Sequence, residues 1–386
     1  MIVKAGQLAS TEQEFNRSNV AQKTQPVLHL INGEHFAGAE RVQDLLANCL
    51  PHFGYQADFV CMKLGKFAEV RTSQSKLYQL NMRHSFDVLI ARKVCQYVKE
   101  NEYKILHAHT PRSILIGSLA ASWTNLPLVY HVHSPVGRDS TRKLRNRVNT
   151  WVESRCLKNV SSMICVSQSL KEYMAELGHS ESKLHVVRNG VPTIENAAPV
   201  PPKETWTIGT MALFRPRKGV ECLLQALAKM KSKGYNVHLR AVGGFESKEY
   251  EQEVMNLVSH LGISDSITWT GFVTDINAEF REMDLFVLPS LFGEGLPMVV
   301  LEAMANGVPV LASRVEGIPE AIRDGVDGLI FDAGSDDDLV EKFSQVYGDI
   351  GFWQRMSQNS YQRQQKELSD MSMAQGVAKV YDQICQ

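Results

Sequence analysis

The sequence predicts an α/β protein built from two doubly wound parallel-sheet domains, and three observations carry that reading. From residue 26 onward, short β-branched or apolar runs alternate with longer segments of helical period. The alternation stops once, at the proline-rich stretch "TIENAAPVPPKET", and then restarts. The chain has 386 residues, 44% hydrophobic and 22% charged, which is ordinary for a globular protein and long enough for two cores.

The elements follow in order. Residues 1–25, "MIVKAGQLASTEQEFNRSNVAQKTQ", read as a flexible leader without the apolar centre of a signal peptide. The first domain, 26–192, has strand candidates at 27–31, 57–62, 105–109, 128–133, 162–167 and 184–188. Helical patterns lie between them. In 38–50, Ala39, Val42, Leu45, Leu46, Cys49 and Leu50 recur at three- and four-residue spacing and form one apolar face. Residues 193–202 read as a linker. The second domain, 203–364, has strand candidates at 206–213, 237–242, 267–270, 285–289, 308–312 and 329–331. Alternation of this kind implies parallel sheets covered by helices on both faces. The end of the chain is helical: Trp353, Met356 and Tyr361 close the second domain. Met373, Val377, Val380 and Ile384 mark a last helix, within 365–386, expected to cross back to the first domain.

Composition removes several classes of function. A formal net charge of -1 gives no reason to expect nucleic acid. The seven cysteines are scattered, with no Cys-x-x-Cys pair, so reduced thiols are expected rather than a disulfide framework or a zinc site. The longest apolar stretch, "ILIGSLAASW", is far short of the ~20 residues that span a bilayer, and a cytoplasmic protein is expected. One segment, "GRDSTRKLRNRVNTW", concentrates Arg138, Arg142, Lys143, Arg145 and Arg147. It reads either as a solvated helix face or as a contact for an anionic membrane surface or a phosphorylated acceptor.

Ligands of parallel sheets bind outside the carboxyl ends of the strands, so the loops there hold the candidate residues. After the first strand, "NGEHFAGAER" carries Gly33 and Gly38 and opens a helix whose N-terminus favours an anion. No Gly-x-Gly-x-x-Gly occurs, which disfavours a nicotinamide oxidoreductase. "ILHAHTPRS" and "LVYHVHSPVGR" bring His107, His109, His131 and His133 to two strand ends. His107 and His131 read as packing residues, His109 and His133 as polar cleft residues, and a metal is not expected. In "MALFRPRKGV", Arg215, Arg217 and Lys218 precede a helix start; cations there are unfavourable unless an anion joins them.

The strongest stretch is "SLFGEGLPMVVLEAMANG". Pro297 suits the first position of a helix, which leaves the N–H groups of Met298 and Val299 as free donors. Glu294 stands before that helix and Glu302 five residues beyond Pro297, ~7.5 Å along the axis. Two carboxylates flanking an anion site suit a ligand with hydroxyl-rich ends and an anionic middle, such as a nucleotide sugar.

Taken with "RKG", "GF" at 271–272, "VSQSL", "VVRNGVP" and "DGVDGLIF", the Glu-x7-Glu element "EGLPMVVLE" resembles the retaining glycosyltransferases of family 4 over residues 26–385. The resemblance implies a GT-B fold, two Rossmann-like domains facing each other across a cleft. It implies transfer of a sugar from a nucleoside diphosphate to a glycan, lipid-linked or small-molecule acceptor, with no further cofactor; the alternatives are a catalytically weak sugar-nucleotide-binding partner subunit or a GT-B phosphorylase or epimerase. It also implies residue roles: Glu294 on the donor sugar, Glu302 on the ribose, and Gly295, Leu296, Pro297, Met298 and Val299 along the diphosphate. Lys218 with Arg215 would neutralise the leaving group. Gly38 would lie under the phosphate or acceptor, His133 near the reacting sugar, and Phe272 and Val273 beside the base; His109 and Arg138 are assigned to the acceptor. Three positions depart from the family pattern: Ala37–Gly38 and Glu316–Gly317 stand where double glycines are usual, and Leu213 stands where an arginine is usual. Arg215 is the substitute for that arginine and Arg217 the fallback.

Overall fold

The computed structural model describes residues 24–83, 87–135, 154–195, 197 and 200–385. Among the described residues, thirteen strands lie in two fully parallel sheets. The first contains β1 (Gln25–Ile31), β2 (Tyr55–Cys61), β3 (Leu77–Gln79), β4 (Ile105–Ala108), β5 (Leu128–Val132), β6 (Ser162–Cys165) and β7 (Leu184–Val186), in the order β3-β2-β1-β4-β5-β6-β7. The second contains β8 (Trp206–Met211), β9 (Val237–Val242), β10 (Ile267–Gly271), β11 (Leu285–Leu288), β12 (Val310–Ser313) and β13 (Leu329–Phe331), in the order β10-β9-β8-β11-β12-β13. This is the expected α/β architecture, and all twelve expected strands are present. The strand not anticipated, β3, has three residues at a sheet edge with no fully buried side chain, so its sequence shows little apolar signal.

Central strands buried on both faces read as continuous apolar runs, and β5, β11 and β12 are buried at every position. In both sheets the strand order reverses beside the first strand, between β1 and β4 and between β8 and β11. Crevices at such reversals are where open parallel sheets hold ligands.

The chain passes between the sheets at two adjacent places. Val191 N–H donates to Leu368 O (3.0 Å) and Asp370 N–H to Val191 O (3.1 Å). Gln364 also donates to the Val191 carbonyl, at 2.8 Å. Beyond this point the helix Asp370–Ile384 buries Met373, Ala374, Val377, Ala378, Val380 and Tyr381. Those side chains join the core of the first sheet, and Tyr55 donates to Asp382 at 2.6 Å. All seven cysteines are free thiols. Among the described residues no helix is long and apolar enough to cross a membrane. The basic segment 138–147, Arg138 included, lies outside the described residues.

Candidate active site

The loop after β11 and the helix Met298–Ala305 form the centre of the site. Pro297 has extended backbone and starts the helix without a side-chain cap, so its first N–H groups have no intrahelical acceptor. Glu294 is buried just ahead of it. Its Oε1 takes the Lys218 ammonium, accepts from Ser290 Oγ at 2.7 Å, and lies 3.6 Å from Arg217 Nη1. Burial by itself would push the Glu294 carboxyl up; Lys218, Arg217 and Ser290 outweigh it and hold the group below its ordinary value.

Lys218 and Arg217 come from the loop after β8, folded into one 3-10 turn, Pro216–Lys218. Gly219 ends that turn at φ +64, and a Cβ there would collide with the Pro289 carbonyl oxygen. The turn also aims Arg217 at the carbonyls of Phe292 and Gly293, at 3.3 and 3.2 Å. Arg215 precedes it on extended backbone and pairs with Glu246 at 3.7 Å instead. The second cation beside Glu294 is therefore Arg217. Leu213, where the family usually has arginine, is half exposed.

The other wall comes from the first sheet. The helix Gly38–Cys49 begins opposite Met298: a Cβ on Gly38 would lie 3.9 Å from Met298 Cγ. Two helix N-termini thus meet across the cleft, a setting that favours an anion. One turn into each helix, Arg41 and Glu302 form an ion pair between the domains. Burial raises the Glu302 carboxyl, and Arg41 opposes the rise. Gly295 touches the backbone of His133 so closely that a Cβ would collide with its carbonyl oxygen. Asn189 donates to Leu296 O at 2.9 Å and ties the same loop to the first domain.

Glu316 replaces a usual glycine at φ +28. Its carboxylate accepts from the N–H groups of Gly293 (3.0 Å) and Glu294 (3.2 Å), which offsets the unfavourable backbone. Phe272 is 84% exposed at the end of β10, and Val273 beside it is half-buried.

His133 is half-buried at the end of β5. His109, assigned to the acceptor, lies in the interior. It is buried, with Nε2 bonded to His29 and Nδ1 to His133, both at 3.1 Å, because β4 carries it into the interior beside β1. Two trios, His29–His107–His109 and His109–His131–His133, have nitrogens within 4.8 Å of one another. Both nitrogens of His29 and of His109 are already in hydrogen bonds.

Sequence reasoning missed Arg41, Ser290, Asn189 and Glu316. Arg41, three residues after Gly38 on the same helix face, and Ser290, four residues before Glu294 in the same loop, had a local signal. The others reach the site through chain folding.

Comparison with known proteins agrees with this geometry. Residues 193–363 match the family described as Glycosyl transferases group 1, and residues 36–195 match Glycosyltransferase Family 4. The chain belongs to glycosyltransferase family 4, and its fold is GT-B. It is 29% identical over 315 residues to an alpha-maltose-1-phosphate synthase of Mycobacterium tuberculosis, covering 73% of this chain and 79% of the relative. It is 23% identical to an Escherichia coli UDP-Gal:alpha-D-GlcNAc-diphosphoundecaprenol alpha-1,3-galactosyltransferase, covering 81% and 85%. The fold matches the crystal structure of Anabaena Alr3699/HepE in complex with UDP. The TM-score is 0.81 and the identity 21%, over 93% of this chain and all of that one.

Proposed function

We propose that this transferase moves a sugar from a nucleoside-diphosphate donor to a hydroxyl of a glycan or lipid-linked acceptor, with retention of the anomeric configuration. The observation that carries the reading is the cluster of Lys218 and Arg217 on Glu294 beside two facing helix N-termini. A diphosphate entering there meets preorganised cations and N–H donors, which stabilise charge as it develops on the leaving group. Lys218 then turns from Glu294 toward the diphosphate and frees the Glu294 carboxylate for sugar hydroxyls. Glu302 meets the ribose and Arg41 yields one of its oxygens. The backbone from Gly295 to Val299 follows the diphosphate, and Phe272 and Val273 border the base. With this positive charge supplied by side chains, the chemistry needs no divalent ion, and a chelator should leave turnover unchanged. Attack on the departing face of the sugar gives retention. The basic segment 138–147 is suited to an anionic lipid surface or a lipid-linked acceptor.

The UDP complex of HepE and the diphosphoundecaprenol substrate named for the galactosyltransferase support these choices of donor and acceptor class. The test is a transfer assay over a panel of nucleotide sugars with wild type and Glu294→Ala. Turnover should fall at least ~100-fold in the variant; equal turnover in both proteins removes Glu294 from the reaction.

A further inference from the structure

A continuous line of hydrogen bonds runs from the last helix to the cleft. Tyr381 Oη is 2.6 Å from His107 Nδ1 and 3.2 Å from His29 Nε2. His29 Nδ1 is 3.1 Å from His109 Nε2, and His109 Nδ1 is 3.1 Å from His133 Nε2. Tyr381, His29, His107 and His109 are buried, while His133 is half-buried and its Nδ1 has no hydrogen-bond partner among the described residues. Burial drives every ring toward the neutral form, His29 down to about 3 and His133 to about 4, with His107 and His109 well below the ordinary value.

A neutral imidazole carries one N–H and one lone pair, so each bond in such a line dictates the next. The line has two consistent polarities, and the tyrosine selects between them. Its single proton goes to one neighbour only. The contact to His107 is the shorter of the two, 2.6 against 3.2 Å, and lies below the usual ~2.7–3.2 Å of N–H donors, as it does where the hydroxyl is the donor. Tyr381 therefore donates to His107 and accepts from His29 Nε2–H. His29 Nδ1 then accepts from His109 Nε2–H, and His109 Nδ1 accepts from His133 Nε2–H.

We infer that Tyr381, acting through His29 and His109, is a positioning residue that holds His133 in its Nε2-protonated tautomer, with the Nδ1 lone pair left free to accept a hydrogen bond from a hydroxyl of the transferred sugar. Only the identity of that hydroxyl rests on the glycosyltransferase reading above. The tautomer rests on the hydrogen bonds alone.

The first test is nitrogen-15 NMR of histidine-labelled protein, with the His133 signals assigned by their loss in His133→Asn. Wild type should show an unprotonated Nδ1 and a protonated Nε2. Tyr381→Phe keeps the ring but removes the hydroxyl, and should give His133 a mixed-tautomer signal. It should lower kcat about 5- to 10-fold, the worth of one hydrogen bond, with KM for the nucleotide sugar little changed. In His133→Asn, whose amide oxygen stands near the Nδ1 position as a fixed acceptor, adding Tyr381→Phe should have no further effect on kcat.

A protonated Nδ1 in wild type overturns the inference, whatever the variants do. So does an equal loss of kcat from Tyr381→Phe in both backgrounds, which marks a merely structural role. One tightly held zinc ion per chain, lost in His109→Asn, would also overturn it, since the nitrogens would then be ligands. Absence of any transfer activity alongside the expected spectra would sink the functional reading and leave the tautomer standing.

Discussion

At the scale of single residues, the site is governed by buried charge. Lys218 and Glu294 are each tolerable inside the protein because they face one another. Lys218→Ala should weaken the nucleoside diphosphate and lower kcat by ~10²–10³-fold; calorimetry showing unchanged affinity for the diphosphate product would remove Lys218 from that role. The histidines make a prediction of opposite chemistry. Kept neutral by desolvation, His29 and His133 titrate near 3 and 4, and His107, His109 and His131 are also depressed. The unfolded chain, with ordinary values near 6.5, binds more protons between those limits. Their contribution to stability is thus complete above about pH 6.5 and is lost progressively as pH falls toward 4 and 3. Denaturant midpoints should drop steeply from pH 7 to pH 5, and a flat profile over that range would contradict neutral burial.

At the scale of elements, the site depends on how closely loops approach. The loop after β11 passes His133 with room only for a glycine at 295, and Gly317 lies so near that a Cβ would collide with the Gly295 carbonyl. Gly295→Ala should wedge the loop away from the first domain. Residue 295 lies in no strand or helix, so circular dichroism should remain that of wild type while transfer falls at least ~10-fold, in line with the sensitivity of catalysis to small misplacements. Wild-type turnover would show that the loop can relax without cost. The 3-10 turn Pro216–Lys218 illustrates the same dependence. Two arginines separated by Pro216 differ in fate because one precedes the turn and the other lies within it.

At the scale of the whole molecule, the two domains are tied by the paired crossings at Val191 and Leu368–Asp370, by the returning helix and by Arg41–Glu302. The ion pair is weak evidence for stability in itself, but removing one partner strands a buried carboxylate. Arg41→Ala should lower stability by up to ~3 kcal/mol, read as a lower unfolding midpoint. A double replacement, Arg41→Met with Glu302→Met, should recover much of that loss and abolish nucleotide binding. Equal stability of Arg41→Ala and wild type would mean that Glu302 is not held by Arg41 in solution.

The strands, their parallel arrangement and the helix start at Pro297 were legible in the sequence, because period, chain punctuation and helix-end chemistry act over a few neighbouring residues. The pairing of Glu294 with Lys218 was half legible: both were marked as site residues, each for its own local surroundings. What only the tertiary structure decided were contacts between segments far apart in sequence. It brought Arg217 rather than Arg215 to Glu294 and set Arg41 on Glu302. It enclosed His109, which local spacing left at the cleft, and joined Tyr381 to His29 across more than three hundred residues. Local propensity is a property of the chain at one place. The direction of a side chain in a cleft depends on two backbones at once, and only the packed fold supplies the second.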